Sequence, residues 1–250
     1  MKNIIDENIN KQLYDINIEK EIKKAVLLIL GLFLISYAIA LSIRCNLGTT
    51  AISTIPYELS FIVPISVGSL TIIFQTSLLI MQRLLLKSSF PKVQYLQFVV
   101  ALIFGNFINF SLTLTAADIP HTPLQKWILC IISCFIMALG LLVEINSKSI
   151  ILPADGLIIA LSHIKDKEFG KIKTKFDVIC VLIAASLSII CFGSLKSVGL
   201  GTIFAAVVVG YIMRFYRKII KTSLNYINKH DHEIHIQHHK HHIKIGGNNE

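Results

Sequence analysis

The chain has 250 residues, 54% hydrophobic and 16% charged, with a mean hydropathy of +0.67; a water-soluble domain of this length does not carry so apolar a balance, so lipid is the solvent for most of it. The net charge of +9 does not point to nucleic acid, because the lysines and arginines sit mostly in loops and tails beside apolar runs, where membrane orientation accounts for them. The sequence contains no P-loop, no paired-histidine metal motif in an apolar run and no Gly-x-Ser-x-Gly elbow, which argues against an ATP-driven motor or an intramembrane enzyme and calls for no cofactor.

In chain order, residues 1–24 alternate acids and lysines around isolated isoleucines and lack a cleavable apolar core, so they read as a cytoplasmic segment with the first span as targeting signal. A spanning helix takes about 20 apolar residues, because ~30 Å of hydrocarbon is crossed at ~1.5 Å per residue. Six runs qualify: residues 25–43, 67–86, 93–114, 127–145, 176–193 and 198–215. The expected organisation is a first membrane repeat over 25–115, an external loop over 116–126, a second repeat over 127–216 and a cytoplasmic tail over 217–250. Five cysteines (Cys45, Cys130, Cys134, Cys180, Cys191) fall in or beside these runs without zinc-ligand spacing, and read as small packing residues.

Two further stretches, 49–63 and 150–163, are apolar but short. Each carries a proline and an acid, Pro56 with Glu58 and Pro153 with Asp155. They are either re-entrant half-helices or weak full spans, and basic loops arbitrate because they stay cytoplasmic. With six spans, the loop holding Arg83, Lys87 and Lys92, the stretch 165–175 and both termini are inside, and the loop 116–125, which has Asp118 and no lysine or arginine, is outside. Only Arg44 and Lys196 disobey. With eight spans the basic loop moves out and the acidic one in, a poorer fit. The expected fold is therefore an all-α integral membrane protein of six transmembrane helices plus two re-entrant half-helices, eight transmembrane helices being the alternative. Re-entrant backbone requires protein or a water-filled cavity to satisfy its polar groups.

The second half repeats the first. At an offset of 100, Ala38, Leu41 and Asn46 match Ala138, Leu141 and Asn146; at 102, Leu59, Ser60, Gly68 and Phe74 match Leu161, Ser162, Gly170 and Phe176; at 105, Ala101, Gly105 and Phe110 match Ala206, Gly210 and Phe215. Three spans per unit is odd, so the two units are inverted across the membrane, a secondary-transporter design with the solute site at the interface and broken helices forming it. The mid-helix glycines Gly105 and Gly210 read as close-packing positions.

Ionisable groups inside a membrane must pair or face water. Glu58 and Asp155 lie in the Pro-containing segments, where a freed carbonyl and a carboxylate offer a site for a cation or proton; the plainer reading is a carboxylate favoured by a helix N-terminus. Asn46, Asn146, Thr49 and Thr50 offer neutral hydrogen bonds where helix gives way to half-helix, and capping accounts for them equally well. Gln75 is expected to line the cavity at the position equivalent to Asp177, and Asp177 reads as mainly structural near a helix start. Arg44 and Glu144 occupy equivalent places, yet inversion puts them on opposite sides, so no ion pair between them follows. The tail from His230 reads HDHEIHIQHHKHH, and its seven imidazoles (His230, His232, His235, His238, His239, His241, His242) chelate divalent zinc, nickel or copper without preformed geometry; a solvated, disordered tail is the plainer reading.

The stretch ALSIRCNLGTT at 40–50, then Ser53 to Pro56 and SVGSLT at 66–71, resembles the YczE branch of the bacterial YczE/YyaS/YitT-type membrane proteins. KEFGKIK at 167–173 with Phe176 and Asp177, and VGLGT at 198–202, are similar to the same family. The likeness covers roughly residues 31–215; Cys45 and the histidine-rich tail depart from it. It implies a multi-pass bacterial plasma-membrane protein grouped by analogy with small-solute transporters or exporters. The functional expectation is alternating-access transport of a small solute, with a non-transporting scaffold as the competing class.

Overall fold

The computed structural model describes the backbone of residues 2–117 and 119–219, with side chains from residue 18 onward. The histidine-rich tail lies outside the described residues. The helices are α1 (Lys2–Arg44), α2 (Thr54–Ile62), α3 (Val67–Leu86), α4 (Gln97–Leu114), α5 (Pro123–Ser147), α6 (Pro153–Ile164), α7 (Phe169–Phe192) and α8 (Leu200–Ile219). No strand occurs among the described residues. Six helices are long and apolar enough to span a membrane, those of α1, α3, α4, α5, α7 and α8. The protein is an all-α, multi-pass membrane protein.

Local chemistry places the ends. Thr122 and Gln125 close a capping box around Pro123 at the start of α5, and the Ser66 hydroxyl accepts from the Ser69 amide to start α3. Asn46 (φ 54°) and Lys148 (φ 50°) turn left-handed just past α1 and α5, stopping both helices. These two residues are 102 positions apart, so the register of the repeat is 102 here as well. The match of Asn46 with Asn146 therefore set the sequence register two residues off: Asn146 is inside α5, whereas Asn46 follows α1.

The two short helices do not cross the membrane. α2 has 9 residues and α6 has 12, lengths of roughly 14 and 18 Å against the ~30 Å required. Helix direction decides independently against eight spans. The Ser36 hydroxyl meets the Phe104 carbonyl at 3.4 Å, and the Arg44 guanidinium donates to the Leu112 carbonyl at 2.7 Å. Contacts that advance together mean that α1 and α4 run parallel, as six spans require; α2 as a full crossing would make them antiparallel. Both prolines sit in the first turn of their helices, where the proline nitrogen has no intrahelical acceptor to lose. The expected freed carbonyl is thus not created.

The halves are inverted. A Cβ added at Gly31 would lie 2.7 Å from the Glu144 nitrogen, and one at Gly140 2.9 Å from the Ile35 nitrogen, so α1 and α5 cross antiparallel with their backbones in contact. The packing is reciprocal: α2 lies on α7 as α6 lies on α3, α2 meets α3 as α6 meets α7, and α5 packs on α8 through Cys134, Ala138, Ala205 and Ile212 as α1 packs on α4. One boundary differs from the sequence reading. α7 starts at Phe169 rather than at 176, so Lys171, Lys173 and Lys175 stand on a helix and not in a loop, because the run KIKTK is too polar to register as a span although it is a good helix former.

Helices in lipid associate by close packing rather than by a hydrophobic driving force, so the α1–α5 crossing tolerates no added bulk. Gly140→Leu is expected to cost about 1–3 kcal/mol through overpacking, seen as a lower midpoint for loss of monodisperse protein on heating in detergent.

Candidate functional site

A half-helix that begins inside a bilayer must have its first amides satisfied by protein or water. For α6, Gln75 of α3 does this: its side-chain oxygen accepts from the Ala154 amide at 3.0 Å, and the residue is 2% exposed. In the other half, the Thr54 hydroxyl at the start of α2 reaches the Cys180 carbonyl of α7 at 3.5 Å. Each half-helix therefore starts against the spanning helix of the opposite repeat, and both starts border one cavity of about 330 Å³.

The walls of this cavity come in equivalent pairs. Ile35 and Met137, Ile39 and Leu141, Thr50 and Leu152, Ile52 and Ala154, and Gln75 and Asp177 all line it, and the members of each pair are 102 positions apart. The cavity accordingly sits on the pseudo-twofold axis of the two repeats. Its floor is apolar, made by Ile39, Phe104, Met137 and Leu141. On one flank Lys173 stands 3.6 Å from Asp155 and 3.9 Å from Asp177, all three about a third exposed. The partly positive starts of α2 and α6 face the same space. The arrangement presents both signs of charge beside an apolar surface, which suits a small amphipathic solute; among the described residues no group of three His, Cys, Asp or Glu side chains is placed to hold a metal ion.

Of the residues expected at a site, Thr50, Gln75 and Asp155 line the cavity. Thr49 is buried and exchanges a hydrogen bond with the Ser42 hydroxyl at 2.9 Å. Asn46 and Asn146 are exposed at helix ends and do not line it, so capping is the reading that survives for Asn46. Glu58 is fully buried away from the cavity and accepts from the Ser197 amide at 3.0 Å. Its second oxygen and the Ser197 hydroxyl have no partner among the described residues. Arg44 is tied to α4 through the Leu112 carbonyl, and Glu144 is buried inside the bundle. Lys173 and Thr174 were not expected at a site, and Asp177 belongs to the cavity wall in addition to its place near a helix start. The signal available in the sequence was the i,i+4 pair Lys173 and Asp177, legible once the helix is started at Phe169.

The end of the bundle away from Lys173 is shut by main-chain bonds. The Gly201 amide donates to the Leu47 carbonyl at 2.7 Å and the Thr49 amide to the Ser197 carbonyl at 3.2 Å. Gly48 (φ 97°) lies so close to Gly199 that an added Cβ would stand 2.5 Å from the Gly199 nitrogen. The Glu58 carboxylate braces the same loop. Glu58→Ala, which strands the Ser197 amide, is expected to destabilise by about 1–3 kcal/mol, and Glu58→Gln, which keeps an acceptor oxygen there, by less than half as much; thermal unfolding of the two purified variants distinguishes them.

A family model matches residues 22–218, nearly the whole membrane region and the stretch that carries the motif likeness. No curated protein and no solved structure matches the chain. The narrower likeness to the YczE branch remains one of motifs, and the chain belongs to a family of unknown function, DUF6198.

Proposed function

We propose that this chain is a secondary transporter of a small amphipathic solute in the bacterial plasma membrane, moving it by alternating access and performing no chemistry on it. The observation that carries the reading is the cavity itself: its lining comes in pairs from the two inverted units, it lies beside two half-helix starts, and it reaches the α7–α8 seam at Gly170 and Gly210 but not the loops at 47–49 and 197–201. Arg83, Lys87, Lys92, Lys165, Lys167 and Lys171 gather at that open end, against Arg44, Lys126 and Lys196 at the other. The bias orients the open end and both termini toward the cytoplasm, which makes the solute one that loads from inside, as in export. The scaffold reading rests on a different observation. Only 17% and 22% of the α7 and α8 windows are buried, leaving a wide apolar face for lipid or another membrane protein.

The test compares the small-molecule content of cells and medium for wild type, an empty vector and the double variant Lys173→Met with Asp177→Asn, matched for membrane abundance. Transport predicts that wild type shifts one or more solutes outward and that the double variant falls back to the vector level. A double variant that behaves as wild type, or a wild type that matches the vector, favours the scaffold.

A further inference from the structure

The repeats share a fold but not a conformation. In the first, α3 and α4 are clamped together: the Gly68 amide donates to the Asn109 side chain at 2.9 Å, and a Cβ added at Gly68 would meet the Gly105 carbonyl and stand 2.6 Å from the Asn109 Cγ. In the second, the equivalent glycines Gly170 and Gly210 have nothing within 4 Å among the described residues. The consequences follow side chain by side chain. Lys173, Thr174 and Met213 line the open cavity, whereas their counterparts face the closed seam: Thr71 is 3% exposed and Ile108 is fully buried, and Ile72 packs against Gly105. Within the closed end, the Ser111 hydroxyl is fully buried with no hydrogen-bond partner among the described residues, a cost that water would relieve if the seam opened. The main-chain bonds that join residues 47–49 to 197–201 have no equivalent between 149–151 and the α3–α4 connection among the described residues. The two seams therefore differ in that one is shut and the other open.

We infer that the α3–α4 seam at Gly68 and Gly105 is a second entrance to the cavity, closed here, and that the two seams exchange roles: α7 closes on α8 through Gly170 and Gly210 as α3 parts from α4. Two inverted copies of nearly the same unit have two arrangements of similar stability, related by exchanging the conformations of the copies. The second arrangement brings Thr71, Ile72 and Ile108 to water at the end of the bundle that is now shut, and breaks the bond from the Ser197 amide to Glu58 or moves both together. This deepens the transporter reading and rests on it, because alternating access is what such an exchange would serve.

The experiment uses the full chain in membrane vesicles with the five cysteines replaced and single cysteines returned at Thr71→Cys or Thr174→Cys, labelled by an impermeant maleimide from each side. Gly210→Leu fits the open α7–α8 seam and overfills it when shut, so it should hold the present state: Thr71→Cys labelling falls several-fold while Thr174→Cys labelling persists. Gly105→Leu clashes with the present state and should do the reverse, raising Thr71→Cys labelling from the opposite side and lowering that of Thr174→Cys. The inference is overturned if Thr71→Cys is unreactive from that side in both the parent and the Gly105→Leu protein, or if the parent labels there and Gly210→Leu leaves that labelling unchanged. Should Gly105→Leu fail to fold, the Gly210→Leu comparison alone decides, with an unreactive parent counting against the inference. Reciprocal labelling without any solute shift keeps the exchange and removes the transporter reading; a solute shift with Thr71→Cys silent does the opposite.

Discussion

Everything in this fold hangs on the antiparallel crossing of α1 and α5. Lipid tails are as apolar as leucine, so two helices in a bilayer gain little from hiding side chains and hold together by how closely they pack. Gly31 against the Glu144 backbone and Gly140 against the Ile35 backbone bring the helices into main-chain contact, and the fully buried Ala38, clustered with Ile35, Ile39 and Met137, continues the seam. The crossing forms the pseudo-twofold axis: α4 and α8 pack outside it, and α3 and α7 each receive the half-helix of the other repeat. α1 is the most enclosed of the six spanning helices, with 56% of its window buried against 17% for α7, as expected of an axis and a periphery.

The half-helices are permitted by that arrangement. A helix that starts within hydrocarbon has unsatisfied amides, and an extended arm leading to it has more. Here the debt is met across the repeat boundary, by Gln75 at Ala154 and by the bonds from Leu47 and Thr49 to the loop before α8. The same logic explains the motifs behind the family likeness. CNLGTT at 45–50 and VGLGT at 198–202 are far apart in sequence, yet they dock on each other, and Gly48, Gly199 and Gly201 supply the room for two backbones to bond directly.

Where the two half-helices start, the structure combines features that lipid forbids elsewhere: helix N-termini, carboxylates and an ammonium beside an apolar floor. Lys173 stands 3.6 Å from Asp155 and 3.9 Å from Asp177, a loose association that leaves all three charged groups partly open to the cavity. Glu58 belongs to a different device. Its carboxylate is spent on the loop that shuts the far end, so it stabilises a conformation instead of contacting the cavity.

Much of this was legible in the residues, and the limits of legibility have physical causes. Composition and run length determined an all-α membrane protein with six clear spans, and the charge of the loops favoured half-helices over full crossings for the short stretches 49–63 and 150–163. Inversion followed from an odd span count, and Gln75 as a cavity residue followed from the repeat. Lys173 stayed hidden because a hydropathy window reads KIKTK as loop, although a helix can carry its lysines to a cavity. Glu58 and Asp155 looked alike, each an acid two residues after a proline, and only the packing of opposite repeats separated them: one braces a loop and the other lines the cavity. Sequence by itself determined an all-α membrane protein, favoured six spans over eight and pointed to two related halves, since these depend on local polarity and chain order. Only the tertiary structure decided which seam is shut and which is open, because two related halves encode both arrangements and the choice between them lies in contacts far apart in the chain.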